Sequence, residues 1–255
     1  MESISINNIN LTYQRRGKGT PLLLIHGFPL DHTIWERTVR FLDDKFDLLL
    51  PDLRGFGGSS TVETQYSMED MAADLAGLLD HLHIEKAFVA GHSMGGYLAL
   101  AFARRYPERM LGLGLVSSQL PADPPDRKEG RYKTASDVAE KGVVVVADAM
   151  APKLTSKPAL ESQLHKLIQN QSQAGVIGAL KAMAERSDST SLVSGLRFPV
   201  VLVHGDKDAL IPIERAREVR TAQPDAQLLE LADVGHMPMM EAPFETAWAL
   251  KQLIR

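Results

Sequence analysis

The sequence predicts an α/β protein: a mostly parallel central sheet flanked by helices, with a helical cap insertion in the second half of the chain. Three observations carry this reading. Four short apolar runs, at residues 21–25, 46–50, 111–116 and 198–204, have the near-continuous hydrophobicity of strands buried on both faces. Helix-like segments alternate with them, as parallel strands require for their crossovers. Between about residues 119 and 195 that alternation lapses into consecutive helix-like pieces.

Composition sets the outer bounds. A chain of 255 residues, 44% apolar and 24% charged, can bury a large core as one α/β domain. The formal charge of −4, with no basic block, argues against nucleic acid as a partner. The lack of cysteine removes disulfides, cysteine nucleophiles and thiolate metal sites together. The first residues, Met1-Glu2-Ser3-Ile4, lack the basic start and apolar run of a signal peptide. No stretch approaches the roughly 18 apolar residues of a membrane span. The expectation is a cytoplasmic protein, a monomer or small homo-oligomer, with no membrane or nucleic-acid partner.

Taken in order, the chain opens with alternating Ile4, Ile6, Ile9, Leu11 and Tyr13, broken at Asn7-Asn8, which is good chemistry for a hairpin turn. Arg15-Arg16-Gly17-Lys18-Gly19 reads as a polar loop with solvated charges. The strand at 21–25 ends in His26-Gly27-Phe28-Pro29, a sharp turn that aims backbone N–H groups into the space above the sheet. His26 reads as a hydrogen-bonded structural histidine that also borders a substrate pocket. Residues 33–42 offer an apolar helical side. The strand at 46–50 runs into a glycine-rich loop in which Asp52 and Arg54 are expected to pair. That loop lacks the lysine of a phosphate-binding loop. Ser67 is an N-cap for a helix over residues 68–81.

The stretch Gly91-His92-Ser93-Met94-Gly95 is a G-x-S-x-G pattern between a short apolar strand and an Ala/Leu-rich helix. That context defines a nucleophile elbow. Glycines are needed because strand and helix pack too closely for a Cβ, and the serine is held in a strained conformation at a helix N-terminus.

After the strand at 111–116, helical pieces are expected near residues 132–150, 159–169 and 174–186. Val143–Val146 is assigned to helix because Ala, Asp, Glu and Met surround it. An insertion at the strand ends beside the elbow makes a cap, and Met150 and Met183 are candidates to line an adaptable apolar pocket under it. This places the core at residues 1–118 and 196–255 and the cap at 119–195. Alternation resumes with the strand at 198–204, a loop through Asp206 and Asp208, a helix over 213–222 and a strand at 227–231. A loop holding Asp233, His236 and Met237 and a closing helix near Pro243 complete the chain.

Ser93, Asp208 and His236 thus stand at the C-terminal ends of parallel strands, where open α/β sheets bind ligands, in the chain order Ser–Asp–His. These motifs, at residues 21–29, 52–60, 91–96, 204–212 and 235–243, resemble the α/β-hydrolase superfamily along the whole chain except the cap. Small bacterial carboxylesterases and enol-lactone hydrolases are the nearest likeness.

The resemblance implies a catalytic triad. Ser93 is the nucleophile, His236 the base, and Asp208 the acid that orients it. Asp208 is preferred over Asp206 and Asp233 because the family position lies three residues after the strand-end glycine, here Gly205. The backbone N–H groups of Phe28 and Met94 supply the oxyanion hole. No cofactor or metal is implied, and the partner is a small-molecule ester or lactone.

Departures narrow the chemistry. Related dehalogenases and epoxide hydrolases carry aspartate where Ser93 stands. Carbon–carbon bond hydrolases often have an aromatic residue where Met237 lies; Met237 is counted here with the pocket. Perhydrolysis is a plausible side activity, since cofactor-free haloperoxidases share the triad. The leading expectation is an esterase for small to medium acyl chains. Rivals are a lactonase with the same residues, a low-turnover ligand receptor on this fold, and a peptidase for N-terminal residues. The last needs cap acids aimed at an amine, whereas Glu140, Glu161 and Glu185 read as solvated helix faces.

Overall fold

The computed structural model describes residues 1–62 and 64–254; Glu63 and Arg255, the last residue of the expected core range, lie outside it. The sheet holds β1 (Glu2–Ile6), β2 (Ile9–Gly17), β3 (Thr20–Ile25), β4 (Phe46–Pro51), β5 (Ala87–His92), β6 (Met110–Val116), β7 (Val200–Gly205) and β8 (Gln227–Leu231). Their spatial order is β1-β2-β4-β3-β5-β6-β7-β8; β2 pairs antiparallel with both β1 and β4, and the remaining pairs are parallel. The helices are α1 (Glu36–Val39), α2 (Met68–His81), α3 (Met94–Arg105), α4 (Pro125–Lys141), α5 (Val144–Leu154), α6 (Pro158–Gln169), α7 (Gln173–Ala184), α8 (Thr190–Val193), α9 (Glu214–Ala222), α10 (Pro238–Glu241) and α11 (Pro243–Leu250).

Local chemistry explains most boundaries. Asn7 and Asn8 take φ of 46° and 64°, the left-handed pair of a tight hairpin turn, and Ile6 pairs with Ile9 across it. The central strands β3, β5 and β7 are apolar and almost wholly buried because helices cover both faces. At α2, Ser67 accepts from Asp70 N–H while the Asp70 carboxylate accepts from Ser67 N–H, a reciprocal cap worth about 1 kcal/mol.

Four expectations are corrected. Residues 15–17 are not loop but the end of β2, because their backbone pairs with β4 and Arg15 grips Asp47 through two bonds of 2.9 and 2.7 Å. Residues 33–42 form a 3-10 turn (His32–Trp35) and the single-turn α1, not one helix. There Asp31 caps the turn, and Thr38 Oγ donates to Met239 O rather than supporting a longer helix. The piece expected at 132–150 is two helices, α4 starting at Pro125, a residue suited to a first helical position, and α5. They are separated at Gly142, whose φ of 83° ends α4.

Asp52 and Arg54 do not pair with each other. Asp52 accepts from His32 Nδ1 (2.7 Å), His32 N–H and Gly58 N–H, while Arg54 makes a bidentate pair with Asp74 of α2, both bonds 2.7 Å. Neighbours in a turn point to different sides, and the helix offers the guanidinium a planar match. Asn7 Nδ2 also donates to Asp74, and Tyr66 lies under the Arg54 guanidinium.

The helices α4–α8 lie between β6 and β7 in the chain; α4–α7 form a layer over the C-terminal ends of the strands, with α4 packed along α7 and α5 along α6, while α8 packs against α9. Among the described residues no helix is long and apolar enough to cross a membrane.

Because Asp74 is 2% and the Arg54 side chain 9% exposed, removing one partner strands a buried charge. Arg54→Leu is expected to lower unfolding free energy by about 3–5 kcal/mol in urea denaturation. The double change Arg54→Leu/Asp74→Leu should recover most of that loss.

Candidate active site

Ser93 sits between β5 and α3 with φ 51° and ψ −113°, a region that L-residues rarely occupy. The glycines around it cannot be replaced without collision. A Cβ on Gly91 would overlap Gly95 O, and one on Gly95 would lie 2.5 Å from Ile25 O. The strained backbone is held on both sides. Ser93 N–H donates to Val116 O at 2.9 Å, and Ser93 O accepts from Gly96 N–H and Ser118 Oγ, each at 2.9 Å. The serine therefore stands at the N-terminus of α3, where the helix dipole favours negative charge. Among the described residues, neither Met94 N–H nor Phe28 N–H has a hydrogen-bond partner, and Ser93 Oγ has none either.

Asp208, beyond β7, points its carboxylate at His236: Asp208 Oδ2 accepts from His236 Nδ1 at 2.7 Å. Its other oxygen accepts from Leu210 N–H and Ile211 N–H, both at 2.9 Å, and His204 Nε2 lies 3.2 Å from Oδ2. Burial alone would raise the Asp208 pKa. The His236 ring, His204 and the Ile211 N–H outweigh it and hold the carboxyl far below the usual carboxylate range. Of the three candidate aspartates only Asp208 reaches the histidine. Asp206 instead accepts from Asp233 N–H, and the backbone carbonyl of Asp233 accepts from Ser156 Oγ and Lys157 Nζ.

The His236 loop is clamped twice. On one side His92, fully buried beside Ser93, places Nε2 at 2.8 Å from His236 O, with the two rings 4.8 Å apart. A carbonyl only accepts, so His92 is the Nε2–H tautomer, and its Nδ1 has no partner among the described residues. On the other side the Glu241 carboxylate accepts from Gly235 N–H, Met237 N–H, Ser156 N–H and Ser156 Oγ. Gly235 is required there, since a Cβ would meet Ser156 N at 2.6 Å.

Sequence reasoning missed His92, His204 and Glu241 as contributors. His92 and His204 lay inside the quoted motifs, and a histidine at a buried strand end was the available signal. Glu241 had none, because two of its four donors come from Ser156, far back in the chain, and the other two are backbone amides of the His236 loop.

Ser93 opens onto a cavity of about 500 Å3 between the sheet and the helical layer. Phe28 and Tyr97 flank the serine, and Met150, Met183 and Leu210 supply part of an apolar wall. Two expected pocket residues do not line it. His26 is fully buried against Phe56, its Nδ1–H donating to Gly27 O and its Nε2 accepting from Leu53 N–H, so both ring nitrogens are spent on the loop. Met237 is fully buried under the His236 loop. Asp31, His32 and Asp52 bring ligand-type atoms within 4.8 Å of one another. Their hydrogen bonds to Thr33, Gly58 and each other make them a brace for the loop.

Residues 20–243 match the family model described as alpha/beta hydrolase fold. A thermophilic esterase from Thermogutta terrifontis, in a malate-bound structure, superimposes with a TM-score of 0.95 at 36% identity, covering 100% of this chain and 98% of that one. An enol-lactonase from Burkholderia xenovorans LB400 shares the fold at 23% identity and TM-score 0.91, with 99% of each chain covered. The dihydrolipoyllysine-residue acetyltransferase component of the acetoin cleaving system of Pseudomonas putida is 33% identical over 88% of this chain. The alignment spans 60% of that relative's length.

The buried histidines give stability a pH signature. Burial lowers the pKa of both His92 and His26 below the ordinary 6.5, so below that pH the unfolded chain takes protons that the folded chain refuses. Stability then falls with pH, by up to about 1.4 kcal/mol per unit for each neutral imidazole. His32 acts oppositely: burial opposes its charge, the Asp52 carboxylate outweighs burial, and its raised pKa adds stability as pH falls. With two fully buried rings against one, the melting temperature at pH 5.5 should lie below that at pH 7.5. In His92→Asn, which keeps a donor for His236 O, the drop should be smaller.

Proposed function

The chain belongs to the alpha/beta hydrolase fold family, and from that premise we propose that it is a serine esterase that cleaves carboxylic esters of small to medium acyl chains. The observation that carries the reading is a strained, cavity-lining serine whose chain neighbour His92 lies ring to ring, at 4.8 Å, with the His236 imidazole that bonds the buried Asp208 carboxylate. The 36% identity to an esterase along its whole length supports ester hydrolysis as the class.

In this mechanism His236 Nε2 takes the proton of Ser93 Oγ as the oxygen attacks the ester carbonyl. Asp208, bonded to Nδ1–H, holds the tautomer and stabilises the imidazolium. The unpartnered N–H groups of Met94 and Phe28 receive the oxyanion, each worth about 3–4 kcal/mol in the transition state. His236 returns the proton to the leaving alcohol, and the acyl group stays on Ser93. Water, activated by the same imidazole, then releases the acid and regenerates the serine. In this reading residues 119–195 are the cap that shapes acyl selectivity, and the protein works in the cytoplasm on small molecules.

Hydrolysis of p-nitrophenyl acetate, butyrate and octanoate by the wild type and Ser93→Ala tests the reading. The wild type should turn over the shorter esters, with kcat lower by at least about 10^4 in Ser93→Ala. Asp208→Asn should lose about 10^4 in kcat, whereas Asp206→Asn should stay within a few-fold of wild type. Turnover that survives Ser93→Ala removes the mechanism. Activity confined to lactones replaces the ester substrate with a cyclic one.

A further inference from the structure

The cavity above Ser93 has a charge that the chain as a whole does not. The protein carries a formal charge of −4, yet the ionisable groups lining this cavity are Arg127 and Arg131 of α4, Lys153 of α5 and one acid, Asp137. Asp137 is already engaged by Lys141 at 3.4 Å. Lys153 has no ion-pair partner among the described residues.

The two arginines belong to a larger cluster. The Asp123 carboxylate, with no exposed side-chain surface, holds Arg131 through its Nε, Arg186 at 2.7 Å and Arg127 at 3.6 Å. Burial alone would raise the Asp123 pKa, but Arg131 and Arg186 beside it hold it below the usual range, so it remains a carboxylate. Three guanidinium groups around one carboxylate leave an excess of two positive charges. Arg186 is sealed behind the wall. It stacks 4.1 Å from the Tyr97 ring centre and donates to Met183 O and Pro121 O. Arg131 is aimed differently. Apart from Asp123, its recorded partner is the Met183 thioether sulfur at 3.4 Å, a weak acceptor. Arg127 is 41% exposed and touches Asp123 only at its Nε. Guanidinium groups so placed, beside the Lys153 ammonium and an apolar wall that includes Met150, Met183 and Leu210, suit a carboxylate.

We propose that this cavity selects esters whose substrate body carries an anionic group, with half-esters of dicarboxylic acids as the class. The free carboxylate sits at Arg127, Arg131 and Lys153, and the ester carbonyl at Ser93. The proposal rests on the esterase reading for the role of Ser93, and its test is arranged to fail separately from that reading.

Binding is measured by calorimetry on Ser93→Ala, which does not consume the ligand, with monomethyl glutarate and with neutral methyl valerate of similar length. The anionic ester should bind at least tenfold more tightly in low salt, with the advantage shrinking as sodium chloride is raised. Arg127→Gln/Lys153→Gln, both positions exposed, should cut the ratio of the two affinities at least tenfold. Arg131→Lys, which keeps a charge for Asp123 but loses the fork, should also lower it. No preference for the anionic ester in Ser93→Ala overturns the proposal. A preference that persists through both variants also overturns it, since recognition would then lie elsewhere. Turnover of p-nitrophenyl butyrate by the wild type reports on the esterase reading independently of either result.

Discussion

The close approach of β5 to α3 is the constraint on which the rest of the site depends. With no Cβ on Gly91 or Gly95, the strand and helix backbones come into direct contact, and the chain between them has room only for a residue with positive φ. A non-glycine residue in that region costs on the order of 1–3 kcal/mol and persists only where its surroundings over-determine it. Here they do. The Ser93 amide is tied to β6 through Val116 O, and its carbonyl is tied to the segment after β6 through Ser118 Oγ. The strain is thus balanced by sheet bonds that form anyway when β6 pairs with β5. The product is a hydroxyl lifted off the sheet at the positive end of a helix, beside two unoccupied amides.

The same contact fixes the imidazole. His92 shares the strand end with Ser93 and is buried under Gly27, where any Cβ would strike its ring. From there its Nε2–H reaches the carbonyl of His236, a residue far along the chain. One strand end therefore carries the serine and also sets the height of the opposing loop. Asp208 completes the arrangement from β7. Its carboxylate accepts two amides of its own loop before it meets His236, so its orientation does not depend on the histidine.

Legibility in the sequence follows the range of the interactions. The strands, the Asn7-Asn8 hairpin, the Ser67 cap and the elbow are decided by residues close in the chain, and periodicity with turn chemistry located them. That the Asp208 carboxylate reaches His236 was anticipated through spacing and resemblance, not through any local signal. Most of what sequence reasoning misplaced depends on partners distant in the chain. Arg54 met Asp74 across the start of α2, although Asp52 was the nearer charge. Arg15 became strand because β4 supplied both its backbone partners and Asp47. His26 looked like a pocket residue because it precedes the turn at Gly27, but Leu53 N–H and Gly27 O consume its ring. Met237 follows the histidine in sequence yet turns inward, as the tight turn into α10 demands.

The helical layer and the segment after it are bonded to the core at several places, including Arg104 of α3 to Asp188 O and Ser189 Oγ, and two of these contacts lie at the loops after β4 and β8. On one rim, Gln171 donates to Asp31 and accepts from Gly57 N–H, while Ser172 Oγ donates to Gly55 O. At that contact Gly55 and Gly175 approach so closely that neither tolerates a Cβ. On the other rim, Ser156 joins Glu241 and Asp233, and through Glu241 it bears on the amides flanking His236. Ser156, at the second seam, serves the position of the His236 loop as much as it serves the layer. Among the described residues, the cavity-facing sides of α4 and α5 make no such bonds to the His236 loop. Arg127, Arg131, Val145, Met150 and Lys153 can therefore change what the cavity accepts without moving the imidazole. Under the proposed esterase function, the fold separates the residues that would carry out cleavage from those that would select the ester.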